Sequence, residues 1–382
     1  RRVQTLQAPY LQLLQDLLAA PKITDAHTIN NLIILPSFLS YLDDRPGENN
    51  ALKQSIAHRF THLIQATIQI PLQTTLPSTI DDPPSITEEP KPETPSEDEV
   101  ILPEETGEQK PRLRIGYISE CLRRHSIGYL TRDIFKYHDR SQFEIIAYTF
   151  EKTDDAIQQE IVDSGQILKI ITNPDPGFIH NLIENDRLDI LVDLDSLTSQ
   201  QICRILALKP APIQISWLGY DAAELPTVDY FLVDAYVVPE QAQTYYREKL
   251  WHFPQTYIAV NGFEVGVSPL RREHLGIPSQ AIVYFSSQTG YKRNPDNICQ
   301  QLKILKAVPN SYFLVKGYYS DIEALKGFFA ELCQQEGVEF HRLRFLEKVP
   351  DEETHRAILS LADIVLDTYP YNGATTTLEA LW

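Results

Sequence analysis

From residue 113 onward the chain repeats one pattern: a short apolar run, a turn, then apolar residues at helical spacing. Apolar runs at 113–118, 143–149, 167–171, 188–194, 212–218 and 229–233 predict strands. The stretches between them predict helices ending near 138 and over 153–162, 176–185 and 199–206. The pattern starts again after Pro269, with strands expected at 281–286, 312–315, 343–346 and 364–366 and helices at 295–307, 322–335 and 351–361. Strands separated by helices of this length imply parallel sheets covered on both faces, with ligands bound at the C-terminal strand ends. Before this region, Leu6, Tyr10, Leu14, Leu17 and Leu18 recur at helical spacing. Further helices are expected from Thr24 and over 50–68, without a clear 34-residue period.

Residues 77–110 break the pattern. They hold seven prolines, eleven acidic residues, two lysines and no aromatic residue, too little apolar surface to fold, so they read as an extended linker. The expected organisation is a helical segment (1–76), this linker (77–110), a first α/β lobe (111–268) and a second (269–382). The linker carries two minus eleven charges, −9 of the chain's −18. That acidity argues against general nucleic-acid binding, which needs clustered Lys and Arg. Apolar runs such as Leu32-Ile33-Ile34-Leu35 are too short to span a bilayer, and no secretory signal is visible. Cys121, Cys203, Cys299 and Cys333 lie far apart in no metal-like spacing, as expected of reduced thiols in a cytoplasmic protein. The chain contains no Met and stops at Leu381-Trp382 inside an expected helix, so it reads as a piece of a longer protein with an incomplete second lobe.

Candidate chemistry gathers near the end. The run from Asp367 to Glu379 follows an expected buried strand, turns through Asn372-Gly373 and opens a helix with Thr375, Thr376 and Thr377. Free backbone N–H groups and a helix dipole there would receive an anion. Glu379, four residues after Thr375, falls on the same face, within reach of a ribose. Lys292 follows a strand end and would neutralise a diphosphate leaving group in place of a metal. Asp193-Leu194-Asp195 has metal-like spacing but sits in the other lobe and reads as structural. His125, beside Arg123 and Arg124, is either a proton acceptor or sugar-phosphate ligand, or a surface histidine in a basic turn. His355 either stacks on a nucleobase or decorates a helix surface. Leu218 and Gly219, in Trp217-Leu218-Gly219-Tyr220, would face a cleft, Gly219 admitting close backbone approach to a ligand, or form a core tryptophan with a turn glycine.

Several segments together resemble the catalytic region of the O-linked N-acetylglucosamine transferases and the related SPINDLY proteins, glycosyltransferase family 41. They are 113–117, His125, 208–214, Trp217 to Tyr220, Tyr291-Lys292, and 361–363 through Asn372-Gly373 and Thr375-Thr376. The resemblance implies a GT-B-like α/β fold of two Rossmann-like doubly wound domains, the second truncated, preceded by helical, tetratricopeptide-type sequence. It implies metal-independent, inverting transfer of N-acetylglucosamine from UDP to Ser or Thr of intracellular proteins. Members of the SPINDLY type use GDP-fucose, and a degenerate scaffold is the third reading. Nucleotide sugar and protein acceptor are thus the expected partners, with no nucleic acid or membrane. Lys292 would stabilise the departing diphosphate, Thr375 and Thr376 bind it, His355 contact the base, Glu379 take the ribose position, and His125 lie near the sugar. The chain departs from the family pattern in several places: Cys121 replaces an Asp, Ser126-Ile127-Gly128-Tyr129 follows His125 where the family has a His-Pro-Thr-like run, Asp221-Ala222 replaces a Pro-Gly, Ala374 replaces a His, and a further family His has no counterpart around Asp43-Asp44-Arg45.

Overall fold

The computed structural model describes residues 2–19, 33–34, 46–68, 112–258, 260–316, 322–347, 349 and 351–382. The acidic linker expected at 77–110 and the helix expected from Thr24 lie outside the described residues. The first sheet is built from β1 (Leu113–Ile118), β2 (Phe143–Thr149), β3 (Ile167–Ile170), β4 (Ile190–Asp193), β5 (Ile213–Ser216), β6 (Tyr230–Asp234) and β7 (Lys249–Phe253). All pairings are parallel, in the order β3-β2-β1-β4-β5-β6-β7, so the order reverses between β1 and β4. That reversal opens a crevice at the strand ends, where doubly wound sheets bind ligands.

Side-chain alternation sorts this sheet into two faces. Ile115, Tyr117, Ile145 and Ala147 join one core with helix α3 (Ser126–Tyr137) and helix α4 (Ala156–Asp163). Ile118, Ile146 and Tyr148 join the other, with α5 (Pro176–Asn185) and α6 (Gln200–Ala207). Leu14 of α1 (Arg2–Ala19) and Ile56, Phe60 and Ile64 of α2 (Pro46–Ile68) complete that second core, so the helical segment is an added layer on the first lobe. Most starts are capped by side chains: Asp155, Asp175 and Ser199 accept from backbone N–H groups of α4, α5 and α6.

The second sheet contains β8 (Ile282–Ser286), β9 (Ser311–Lys316), β10 (Leu343–Leu346) and β11 (Ile364–Val365), all parallel in the order β10-β9-β8-β11. Helices α7 (Pro295–Ala307), α8 (Ile322–Glu336) and α9 (Glu352–Leu359) flank it, and α10 (Thr375–Leu381) closes the described chain. Two expectations are corrected. The alternating Lys249 to Phe253 forms a seventh parallel strand that the helix–strand rhythm misses, because a 3₁₀ turn (Glu240–Thr244), not an α-helix, precedes it. Ile364 and Val365, expected to be buried, are 45% and 39% exposed, because β11 pairs with β8 on one side only and forms the sheet edge. No described helix is long and apolar enough to cross a membrane.

Candidate functional site

The run after β11 folds back on itself around Asp367. Its Oδ1 accepts from the backbone N–H of Thr368 and of Gly373, both at 2.8 Å. Thr368 Oγ1 donates to Tyr371 O and Asn372 Nδ2 to Thr368 O, so the turn is tied at four points. Gly373 has no room for a side chain: a Cβ there would lie 2.4 Å from Gln288 Nε2 and 2.7 Å from Thr376 Oγ1. Thr375 and Thr376 then open α10, and Ala374 before them provides no side-chain cap.

The loop after β8 meets this turn. Buried Gln288 donates to Thr376 Oγ1 at 2.9 Å and to Asp367 Oδ1 at 3.3 Å. Lys292, in the turn Gly290–Lys292, donates to Asn372 O at 3.2 Å, its ammonium 4.6 Å from the centre of the Tyr371 ring. Partial burial lowers the Lys292 pKa, and the charge of Asp367 opposes that shift. Buried Arg293 donates to Gln288 O and Lys316 O, fixing the ends of β8 and β9 side by side. The hydroxyl oxygens of Ser286 and Thr289 are buried without a partner among the described residues, which leaves polar capacity at this strand end.

One turn deeper, Lys316 donates to His355 Nδ1 at 2.6 Å. Burial, then the charges of Lys316 and Arg356, push the imidazole down to about 4, so it is neutral at physiological pH. Burial also takes Lys316 down to about 8, against the pull of Glu379 and Asp351. Because Nδ1 accepts, the neutral ring carries its proton on Nε2 and offers a donor there. Glu379, expected at a ribose, accepts from Arg356 Nε at 2.8 Å, and burial raises its pKa against that pairing.

Arg356 is where the lobes meet. It is 4% exposed, donates to Glu264 O at 3.0 Å, and stacks over Tyr129 at 4.5 Å and Phe263 at 4.9 Å. Gly266 N donates to Glu353 O, Arg124 lies 3.9 Å from Glu353, and Tyr220 stacks on Tyr371 at 5.2 Å and 9°. His125 caps α3, its Nδ1 accepting from Ile127 N at 3.3 Å. Burial and Arg123 lower its pKa while Glu352 of the second lobe opposes, so the ring lies close to both lobes. With Nδ1 accepting, its neutral form also carries the proton on Nε2, which favours a hydrogen-bonding role over proton acceptance.

Lys292, Thr376 and the Asn372 turn are thus brought together, and His355 and Glu379 converge through Lys316. Leu218 and Gly219 lie against protein on the sides the structure describes. Leu218 is buried at a left-handed φ of 68°, and a Cβ on Gly219 would lie 2.2 Å from Asp195 O, so the close backbone approach is to protein. Asp193 and Asp195 are also structural: Asp195 accepts from Ser119 Oγ and Glu120 N, Asp193 from Asp195 N and Ser196 N, and burial raises them to about 7 and about 6. Gln288, Lys316 and Arg356 are site residues the sequence reading missed. A polar residue at the end of an apolar strand was the available signal for Gln288 and Lys316.

A family model described as glycosyl transferase family 41 matches residues 95–265 and 263–382. The chain belongs to that family. Similar proteins include the tomato protein named probable UDP-N-acetylglucosamine–peptide N-acetylglucosaminyltransferase SPINDLY, 30% identical over 278 residues, covering 71% of this chain and 29% of the relative. The Caenorhabditis elegans UDP-N-acetylglucosamine–peptide N-acetylglucosaminyltransferase is 23% identical over 387 residues, covering 71% of this chain and 33% of the relative. The chain therefore spans about a third or less of the length of these relatives. Among solved structures, a Thermobaculum terrenum O-GlcNAc transferase mutant superposes with a TM-score of 0.72 at 24% identity, covering 94% of this chain and 61% of that one. It supports the fold, two Rossmann-like lobes of the GT-B type.

Proposed function

We propose that this chain carries the donor-binding part of an inverting glycosyltransferase that moves N-acetylglucosamine from UDP-N-acetylglucosamine to Ser or Thr hydroxyls of proteins, without a metal. The carrying observation is Lys292, whose ammonium meets the Asn372 turn at 3.2 Å beside the Gln288–Thr376 pair. In an inverting displacement the acceptor oxygen bonds to the anomeric carbon as the bond from that carbon to the diphosphate oxygen breaks, and the acceptor's hydroxyl proton passes to the departing diphosphate or to solvent. The diphosphate leaves with the electron pair, and Lys292 with the Thr375 and Thr376 hydroxyls stabilises it. His355 and Glu379 lie together on the nucleoside side, and His125 Nε2–H reaches from the first lobe toward the sugar or acceptor. The names of the relatives favour N-acetylglucosamine over the fucose alternative. The cytoplasm is the matching compartment for such a protein.

Calorimetric titration of UDP, GDP and uridine into the full-length protein tests this. UDP is expected to bind, and Lys292→Ala to weaken it by about tenfold to a hundredfold, the worth of a charge-assisted contact, leaving uridine unchanged. Protein-linked N-acetylhexosamine, detected by mass spectrometry after incubation with labelled UDP-N-acetylglucosamine, is expected to vanish in the same variant. No binding of either diphosphate would leave only the scaffold reading.

A further inference from the structure

Asp221, one of the departures from the family pattern, is not a loose substitution. It is the counter-charge of Lys53, which projects from α2 and is 2% exposed. Asp221 is held from further sides: Tyr246 Oη donates to Oδ1 at 3.0 Å, Ala222 N to Oδ1 at 2.9 Å, and Ser196 Oγ to the Asp221 carbonyl. Glu224 and Glu248 sit alongside, and the Glu224 backbone N–H donates to Glu248 Oε1 at 2.6 Å, so a lysine arriving from α2 meets a carboxylate-rich wall. The next residue toward the cleft is Tyr220. Its ring lies flat on Tyr371, 5.2 Å away at 9°, and the Lys292 ammonium sits 4.6 Å from that same Tyr371 ring. A continuous series of contacts therefore runs from the added helical layer, through the first lobe, to the lysine of the candidate diphosphate site.

We infer that Lys53 is a positioning residue for diphosphate binding: by holding Asp221 it seats Tyr220 under Tyr371, and Tyr371 presents the Lys292 ammonium to the ligand. This inference rests on the nucleotide-binding reading above. Each link is a defined geometry. A buried ion pair fixes where the Asp221 backbone lies, since moving the carboxylate strands an ammonium in the interior. A parallel aromatic stack fixes the plane of the second ring. A cation over that ring is restrained in position while its N–H groups stay free to donate. The layer to which α2 belongs thereby gains an influence on donor binding in the second lobe.

The test measures UDP and uridine affinities by calorimetry for the full-length protein and the variants Lys53→Met, Tyr220→Leu and Tyr220→Phe, with thermal melting to confirm folding. Lys53→Met and Tyr220→Leu are each expected to weaken UDP by about fivefold to tenfold, with uridine unchanged. Tyr220→Phe, which keeps the stacked ring, restores wild-type UDP affinity. Combining Lys53→Met with Tyr220→Leu adds no further loss, because both act through the same stack. Should Lys53→Met fail to fold, Tyr220→Leu and Tyr220→Phe decide alone, since neither strands a buried charge. UDP affinity unchanged in a folded Lys53→Met or Tyr220→Leu overturns the inference, as does equal weakening of uridine, which would mark a merely structural role. A wild-type protein that binds no diphosphate overturns the nucleotide reading itself, and is told apart because it fails before any variant is made.

Discussion

Removing Arg356 should cost more than removing any other charged side chain at the junction of the lobes. The Arg356 side chain is 2% exposed, and its Nε donates to Glu379, whose side chain is 9% exposed, at 2.8 Å. Replacing Arg356 by Met keeps much of the volume but loses the guanidinium stacked on Tyr129 and Phe263 and leaves the Glu379 carboxylate buried without its hydrogen-bonded cation. Breaking one side of such a pair costs about 3–5 kcal/mol. The lost stacking over two rings adds to that, while protonation of Glu379 relieves part, so we expect a net loss of about 4 kcal/mol. That is a large share of the total stability of a folded unit, about 5–15 kcal/mol. The double variant Arg356→Met, Glu379→Met removes both charges and should recover to within about 1 kcal/mol of wild type, since well-packed apolar groups replace a buried pair at little cost. Urea unfolding followed by tryptophan fluorescence measures both. Trp382 is a local reporter, because its ring packs on Gly262 at the same junction. A single variant that loses less than about 1 kcal/mol, or a double variant as unstable as the single, refutes the assignment of Arg356 and Glu379 as a buried, mutually dependent pair.

Two further outcomes follow from local geometry. Gly219→Ala places a Cβ 2.2 Å from the Asp195 carbonyl oxygen and should destabilise by about 3 kcal/mol, whereas Gly327→Ala, in α8 with nothing within 4 Å, should stabilise by about 0.5–1 kcal/mol; differential scanning calorimetry compares them. His355 titrates near 4 in the folded chain and near its ordinary value when unfolded, so the unfolded state binds the extra proton between those pH values and stability falls as pH drops through that window. His355→Asn should remove up to about 3 kcal/mol of that acid sensitivity, seen as a flatter difference in urea midpoint between pH 6.5 and 4; parallel curves for the two proteins would refute it.

The fold was legible because its signal is local. Ile115 and Tyr117 against Ile118, or Ile145 and Ala147 against Ile146 and Tyr148, alternate between two cores within single strands. The Asp367–Glu379 run was legible for the same reason, since Asp367, Thr368, Asn372 and Gly373 bond one another within a few residues. Arg356 was not, because what buries it comes from Tyr129, Phe263, Glu264 and Glu379, far apart in the chain. Lys53 and Asp221, 168 residues apart, carry no mutual signal either. For Gly219, sequence shows that a backbone must approach closely there, but not that Asp195 O is the atom met on the side a Cβ would occupy.

The departures at Cys121, Asp221 and Ala374 divide by lobe in a way that bears on function. Cys121 and Asp221 belong to the first lobe. Burial and the charge of Asp195 push the Cys121 thiol up to about 12, so it stays protonated and cannot act as a carboxylate or a thiolate. Asp221 is neutralised by Lys53 and does not confront the cleft as a free charge. His125, in the same lobe, spends Nδ1 on its own helix and keeps a donor on Nε2. The first lobe therefore offers hydrogen-bond donation where the family pattern has an acid. In the second lobe the single departure, Ala374, contributes no cap, and the neighbouring Gln288, Thr376 and Lys292 remain bonded to the motif around it. The Lys292–Asn372 and Gln288–Thr376 contacts are made within the second lobe, and Asp221 reaches Lys292 only indirectly, through the Tyr220–Tyr371 stack. On the proposed function, the changes at Cys121 and beside His125 should therefore appear first in which acceptor is used and how its proton is lost, whereas Asp221 should act on nucleotide affinity through the Tyr220–Tyr371 stack.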